Sequence, residues 1–496
     1  MEVLQYLGSS GFDLMTVLLI IVGAAFGIIF GAIPGLTSTM GMALMLPLTF
    51  GLSPTDGLAL LVGVYIGGES GGLVSATLLG IPGTSSSVAT TFDGYPLSQK
   101  GYPAKALGVG ITASFIGNIF GFLVLIAFAP TISRYAIKVT PFDYFSITLF
   151  AISLIAILAS GNMFKGFAAG FMGILLASVG FAPIDGGARF SFDSVFLKSG
   201  FDLLPLIIGL YGISEIIQNI GENKQIKLDV KIRVKGLGYK LSELTQNAWN
   251  IIRSASIGVA IGILPGIGAS LSNIVAYTRA KTASKTPEKF GKGTTEGIFA
   301  AETANNANIG GAFIPLLTLG IPGDGVTAIL IGGFMIHGIK PGPGMMAANE
   351  ALISTIFVSI VLGGIIVFLL QSLGIRLFPK ILSIPQRYLY TVLFVLMILG
   401  SYFGNYTIFN VWVMIFFGFL GYFMRQFNFP LVPLLLGFVL GPIAEINFRR
   451  ALMYSKGDFT VFFTKPISAI FIVATIALIG TYCYKEIKRY FSKQAS

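Results

Sequence analysis

The sequence predicts an all-α, polytopic membrane protein, internally duplicated, with broken helices or re-entrant hairpins at Pro-Gly motifs. Three observations predict it: a charge-poor composition, a succession of long apolar runs, and motifs that recur in order in the two halves. Charged residues are 11 % of the 496 and hydrophobic ones 54 %, whereas a soluble domain carries about 25 % charge. The 63 glycines are nearly twice the usual ~7 %, and glycine is commoner in membrane helices than in soluble ones. A soluble fold, a disordered chain and a coiled coil are excluded. The single Cys483 excludes a disulfide framework and a thiolate metal cage, and the single His337 excludes paired-histidine haem ligation. The net charge of +11 does not point to nucleic acid, because the basic residues sit in short loops between apolar spans, where Lys and Arg mark the cytoplasmic side. The lipid bilayer is the partner that this composition implies.

A membrane-crossing helix needs about 20 mostly apolar residues. Candidate segments are 14–33, 36–50, 57–80, 104–130, 142–160, 163–182 and 200–220, then 251–280, 297–319, 324–337, 346–373, 386–403, 406–424, 429–446 and 463–484. Met1-Glu2 supplies no basic n-region ahead of the first, which is read as a retained span and not a signal peptide. Segments 36–50 and 324–337 are too short to cross alone and are bounded by Pro-Gly. Residues 221–249 are the most polar stretch, with Lys224, Lys227, Lys231, Arg233, Lys235 and Lys240, and read as a basic cytoplasmic linker. The division is therefore a first transmembrane repeat (1–220), the linker (221–249), a second repeat (250–446) and a C-terminal span with a basic tail (447–496).

The repeat rests on five matches in series. Gly27, Gly31, Pro34 and Gly35 recur as Gly258, Gly262, Pro265 and Gly266, and Gly80-Ile81-Pro82-Gly83 as Gly320-Ile321-Pro322-Gly323. Pro141, Tyr144, Leu149 and Phe150 match Pro385, Tyr388, Leu393 and Phe394, and Gly161-Asn162 matches Gly404-Asn405. Phe201, Leu203, Pro205, Leu206 and Gly209 match Phe429, Leu431, Pro433, Leu434 and Gly437. A flank with Glu2 and Asp13 but no base, set against the basic linker, places the ends of the first repeat on opposite sides. That expectation makes the second repeat inverted, although Arg449, Arg450 and Lys456 fall in a loop that this scheme puts outside.

Within a bilayer, non-helical backbone survives only where protein or a water-filled cavity satisfies it. The two Ile/Leu-Pro-Gly stretches and the two Gly-Ile-Pro-Gly stretches are expected to break helices, because proline removes a donor and glycine turns freely. Paired broken helices are the sequence pointer to a transporter's substrate site. Small hydroxyl residues follow the breaks, and helix N-termini bind anions. Gly35, Thr37, Ser38, Gly83, Thr84, Ser85, Ser86, Gly266, Gly268 and Ser270 are therefore expected to hold an anionic substrate. For any one of them, close helix packing is an equally good explanation.

Carboxylates at membrane depth are costly and usually functional. Asp324, Asn305, Asn306 and Glu69 are expected to bind a coupling cation, Na⁺ or H⁺. Glu302 belongs either with them or at the end of a solvated loop that begins at Lys281. Gly8-Ser9-Ser10-Gly11 resembles a serine-protease motif but lacks a partnered base, His337 reads as structural, the phenylalanines read as lipid-facing, and Lys165 is expected to snorkel.

Taken together, Gly31-Ala-Ile-Pro34-Gly35, Gly67-Gly68-Glu69-Ser70-Gly71-Gly72, Gly80-Ile-Pro-Gly83-Thr84 and Phe92-Asp93-Gly94-Tyr95-Pro96 resemble the large membrane subunit of tripartite tricarboxylate transporters. In the second half Gly262-Ile-Leu-Pro265-Gly266, Glu302-Thr-Ala-Asn305-Asn306 and Gly320-Ile-Pro-Gly323-Asp324-Gly325 extend the resemblance over nearly the whole chain. It implies a bacterial inner-membrane system in which a periplasmic solute-binding protein delivers an organic anion, such as citrate or another di- or tricarboxylate. A small membrane subunit and this large one then import it by alternating access on a Na⁺ or H⁺ gradient, with no cofactor. The sequence has no phosphate-binding loop for ATP. An uncoupled organic-anion channel is the alternative; a membrane enzyme has little support from one His and one Cys.

Overall fold

With no water to bond in a bilayer, backbone amides close their hydrogen bonds within helices, and the apolar runs obey. The computed structural model describes residues 13–158, 162–219, 237–384 and 386–494. The first half contains α1 (Leu14–Ala32), α2 (Ser38–Met45), α3 (Pro54–Leu78), α4 (Val88–Gln99), α5 (Pro103–Ala136), α6 (Pro141–Leu158), α7 (Met163–Ala177) and α8 (Leu203–Asn219). The second contains α9 (Ala248–Gly262), α10 (Gly268–Ala283), α11 (Thr295–Leu319), α12 (Gly325–Ile336), α13 (Glu350–Gly374), α14 (Gln386–Phe403), α15 (Ile408–Gln426), α16 (Leu431–Tyr454) and α17 (Pro466–Gln494). Seven helices among the described residues, α1, α3, α5, α13, α15, α16 and the first part of α17, are long and apolar enough to cross a membrane. The protein is a mostly helical polytopic membrane protein.

Helix ends follow local chemistry. Asp13 caps α1 by accepting from the Thr16 amide at 2.8 Å, and Ser53 with Pro54 opens α3. Gly320, at φ +69°, closes α11 in the left-handed conformation that glycine adopts without strain.

Two helices form the centre. The apolar window of α3 is buried throughout, and α11 is buried from Gly297 to Thr318. Their neighbours approach to backbone contact through small residues, the packing mode that replaces hydrophobic drive within lipid. A Cβ on Gly27 of α1 would lie 2.4 Å from the Val64 carbonyl oxygen of α3, and one on Gly258 of α9 would lie 2.3 Å from the Ala304 carbonyl oxygen of α11. On the other side of α11, a Cβ on Gly117 of α5 would lie 2.3 Å from the Thr303 carbonyl oxygen. Farther out, α7 packs on α16 and α17 on α6.

Several expected segments differ. Segment 251–280 is two helices, α9 and α10, separated at the Pro265-Gly266 break. Segment 163–182 ends as a helix at Ala177, and a two-stranded hairpin follows, β1 (Gly180–Phe181) paired with β2 (Ala188–Arg189). It is pinned to α16 by Arg189, which donates to both Glu445 oxygens at 2.9 and 3.1 Å, and by Arg449 to Asp185 at 3.0 Å. The hydrogen bond from Arg449 holds the Asp185 carboxyl below its ordinary range. Segment 200–220 is α8, which contains a π-helical stretch at Ile208–Ile213. Helix α4 was not among the expected segments, because Thr90, Thr91, Asp93 and Ser98 interrupt any apolar run there. The phenylalanines are not all lipid-facing: Phe299, Phe313, Phe334 and Phe357 are fully buried. Lys165 reaches the Phe427 carbonyl at 2.6 Å and lies over the Phe429 ring. Gly8–Gly11, Gly161, Pro385 and linker residues 221–236 lie outside the described residues.

Helix α4 is held by the other half of the chain. Asp93 Oδ1 accepts from the amides of Gly291, Gly293 and Thr294 at 3.0, 2.7 and 2.9 Å, and its Oδ2 accepts from the Tyr277 hydroxyl at 2.9 Å. Asp93→Ala strands these donors, at about 1–3 kcal/mol for each buried group left unpaired. Thermal unfolding in detergent is expected to show a large loss of stability, with a smaller one for Tyr277→Phe; equal stability of Asp93→Ala and the parent would contradict the latch. Gly27→Ala and Gly258→Ala drive a Cβ into backbone, and overpacking costs roughly 1–3 kcal/mol. The same assay is expected to show that loss and none for Gly480→Ala in α17, where the added Cβ meets open space.

Candidate functional site

Each break is built by glycine. Gly35 (φ +87°) and Gly266 (φ +73°) turn the chain after the two Pro-Gly pairs, and Gly80 (φ +70°) and Gly320 (φ +69°) turn it at the Gly-Ile-Pro-Gly stretches. A Cβ on Gly83 would lie 2.0 Å from the Gly31 carbonyl oxygen, and one on Gly323 2.7 Å from that of Gly262. The first break therefore lies against the second and the third against the fourth. The Gly266 amide donates to the Gly323 carbonyl at 2.8 Å.

After the first, second and fourth turns the chain resumes as helix with polar capping, while α10 follows the third with no side-chain cap. Thr37 Oγ1 accepts from the Met40 amide at 3.1 Å to start α2. The Thr84 amide donates to Ser87 Oγ at 3.3 Å. Asp324 Oδ1 accepts from the Thr327 amide at 2.7 Å while the Asp324 amide donates to Thr327 Oγ1 at 2.9 Å, a reciprocal box that opens α12. A Cβ on Gly268, at the start of α10, would lie 3.3 Å from Asp324 Cβ, so the third and fourth N-termini are neighbours.

These N-termini meet a polar seam along α3 and α11. From α3, Glu69 Oε1 accepts from Ser38 Oγ at 2.8 Å and its Oε2 from Ser86 Oγ at 2.5 Å, joining the helices that follow the first two breaks. The Tyr65 hydroxyl, one turn away, donates to Asp324 Oδ2 at 2.5 Å and ties the second-half break to α3. Across the seam, Asn305 Nδ2 donates to the Glu69 carbonyl at 3.1 Å and Ser70 Oγ to Asn306 Oδ1 at 2.6 Å. Glu302, 0 % exposed, accepts from Thr90 Oγ1 at 2.5 Å and Ser114 Oγ at 3.0 Å. It therefore does not end a solvated loop; it sits two turns inside α11.

The structure sorts the expected residues. Gly35, Thr37, Ser85 and Ser270 keep access to the surface. Ser38, Gly83, Thr84, Ser86, Gly266 and Gly268 are buried, and the Ser38 and Ser86 hydroxyls already engage Glu69. Among the cation candidates, Asp324 is occupied as a cap and as the acceptor for Tyr65, and Asn306 Oδ1 by Ser70. Asn305 Oδ1 is buried with no hydrogen-bond partner among the described residues. Sequence reading missed Tyr65, Thr90, Ser114, Asn273 and Thr327. Asn273 accepts from the Ala89 amide at 2.7 Å and donates to the Ala301 carbonyl at 3.3 Å. The available signal was an uncharged polar side chain inside an apolar run, which is weaker than a carboxylate because it costs less to bury.

Comparison with known proteins agrees with this architecture. Residues 17–436 match the family described as the Tripartite tricarboxylate transporter TctA family. The chain is 36 % identical over 458 residues to the 52.8 kDa protein in the TAR-I ttuC' 3' region of Agrobacterium vitis, covering 92 % of this chain and 91 % of that one. It is 42 % identical over 212 residues to the protein in the TAR-II ttuC' 3' region of the same organism, covering 43 % of this chain and 88 % of that one. No solved structure matches it. Members of the family are membrane transporters, not catalytic enzymes, and work in a tripartite system with a small membrane subunit and a periplasmic binding protein. With its match over most of its length and its set of apolar spans, this chain is an inner-membrane protein that belongs to the TctA family of tripartite tricarboxylate transporters.

Proposed function

We propose that this chain is the permease that carries di- or tricarboxylates, citrate among them, inward after a periplasmic solute-binding protein has delivered them. A Na⁺ or H⁺ gradient drives the movement, and one repeat-related unit, 1–220 or 250–446, shifts against the other by alternating access. The observation that carries this reading is the convergence of the N-termini after the breaks on the Glu69, Tyr65 and Asp324 seam. Free amides and the positive ends of helix dipoles favour an anion there. Thr37, Ser85 and Ser270, which keep surface access, are its first contacts; Gly35, Gly83, Gly266 and Gly268 let the backbone come close. Asp324, Asn305, Asn306 and Glu69 supply the oxygens for the cation.

The internal duplication and its inversion belong to the same proposal. Its support is that one pair of sequence offsets carries the contact of Gly27 with Val64 onto that of Gly258 with Ala304. They also carry the Thr84–Ser87 cap onto the Asp324–Thr327 cap. Two breaks that fold back beneath α3 and α11 are what re-entrant hairpins would look like from inside.

Two substitutions test the reading in proteoliposomes that contain the small subunit and the binding protein. Ser85→Trp fills the accessible mouth and is expected to lower labelled citrate uptake at least tenfold while thermal unfolding in detergent is unchanged; undiminished uptake would remove Ser85 and its neighbours from the anion path. Asp324→Asn keeps an amide oxygen able to cap α12 and removes the charge. It is expected to abolish or reorder cation dependence, and an unaltered dependence would contradict the assignment of Asp324.

A further inference from the structure

A small cavity lies behind the seam, on the side away from the breaks, where α5 and α13 close on α3. Its polar lining is Ser70, Ser114, Asn118 and Gln371, which are 2, 3, 2 and 0 % exposed. Gly364 of α13 makes the room: a Cβ there would lie 2.2 Å from Asn118 Oδ1. The space suits one water-sized body.

The groups that face it are mostly acceptors without partners. Asn118 Oδ1 and Gln371 Oε1 are buried with no hydrogen-bond partner among the described residues, as is Asn118 Nδ2. Gln371 Nε2 is engaged with the Ser70 carbonyl at 3.0 Å, which fixes the orientation of that amide. Ser70 Oγ gives its proton to Asn306 Oδ1 and Ser114 Oγ gives its proton to Glu302 Oε2, so both hydroxyl oxygens have only lone pairs left for the cavity. Four oxygens and the NH2 group of one amide surround the space. Unmet buried carbonyl oxygens are expensive, and native proteins rarely leave two side by side.

The charge balance points the same way. Glu302 is fully buried, and its carboxyl is met by the hydroxyls of Thr90 and Ser114 and by the Asn305 side chain, with no basic side chain among these partners. A cation in the cavity would allow Glu302 to ionise, because an ionised carboxylate at membrane depth calls for a compensating charge, and the cavity lies one hydroxyl away, beyond Ser114. Hard cations select oxygen donors. From these two observations we propose that Asn118, Gln371, Ser70 and Ser114 form a binding site for one small dehydrated monovalent cation, with Na⁺ the one of suitable size, whose charge is balanced by Glu302 through Ser114. The site is separate from the Asp324 seam and does not depend on the proposed transport reading.

Equilibrium binding of ²²Na⁺ to the purified full-length chain in detergent, with choline as the replacing ion, tests this without transport. The parent is expected to bind Na⁺. Asn118→Leu and Gln371→Leu are expected to weaken or delete one equivalent by at least tenfold while folding at least as well, because each replaces unmet polar atoms with apolar volume. Gln371→Glu keeps an oxygen in place and adds charge, and is expected to tighten Na⁺ binding and make it fall with acid, a response that a packing role alone would not give. Asp324→Asn is expected to leave this equivalent intact, which separates failure of this site from failure of the Asp324 assignment. No Na⁺ binding by the parent, or binding unchanged in both leucine variants and in Gln371→Glu, would overturn the proposal and leave a structural water as the occupant.

Discussion

Broken backbone at membrane depth is the constraint on which the rest of this structure depends. Each interruption of a helix exposes amides and carbonyls that lipid cannot satisfy, at several kcal/mol for each group left alone. The solution is to bury two polar-seamed helices, α3 and α11, and to fold the interruptions onto them. That arrangement requires backbones to touch, so glycines occupy the contact points of α1 on α3 and of α9 and α5 on α11. A glycine-rich α3 buried from Gly57 to Leu78 and an asparagine-rich α11 buried from Gly297 to Thr318 follow from that geometry.

The same geometry concentrates polar chemistry where the breaks meet. Glu69 lies between two hydroxyls from different first-half segments, and Tyr65 hands its proton toward a carboxylate from the second half. Of these bonds, the one from Tyr65 to Asp324 spans the two halves and would break if one half shifted against the other. A network of this kind fixes one arrangement while it is complete and is sensitive to an arriving ion or anion that competes for its members. The latch of Asp93 on Gly291, Gly293, Thr294 and Tyr277 also joins the halves, fastening α4 to the second-half loop and to α10 with four donors.

Much of this was legible in the residues. Length and apolarity identified α1, α3, α5, α13, α15, α16 and α17 as spans, and Pro-Gly located the turns at Gly35, Gly80, Gly266 and Gly320, because both signals are local. Helix α4 was illegible because its stability is tertiary: Asp93, Thr90 and Ala89 are satisfied by residues about 180 to 210 positions away. The roles of single residues at the breaks were only partly legible. Thr37, Thr84 and Asp324 look alike in sequence, since each follows a break, and only packing decides that Thr37 stays partly accessible while Thr84 and Asp324 are buried. Glu302 was ambiguous for the same reason: a nearby Lys-rich stretch suggested solvent, and helix α11 carried it inward instead.

The proposed transport places the coupling of an organic anion to an ion gradient in this seam. Uptake of labelled citrate and related acids into proteoliposomes holding the parent chain and its small-subunit partner, with the solute-binding protein outside, tests it most directly when a Na⁺ gradient, a pH gradient and neither are compared. Accumulation above equilibrium that requires the binding protein and one of the two gradients is expected. Equal, gradient-independent leakage of the acid that the binding protein captures would contradict it and make the chain a passive conduit.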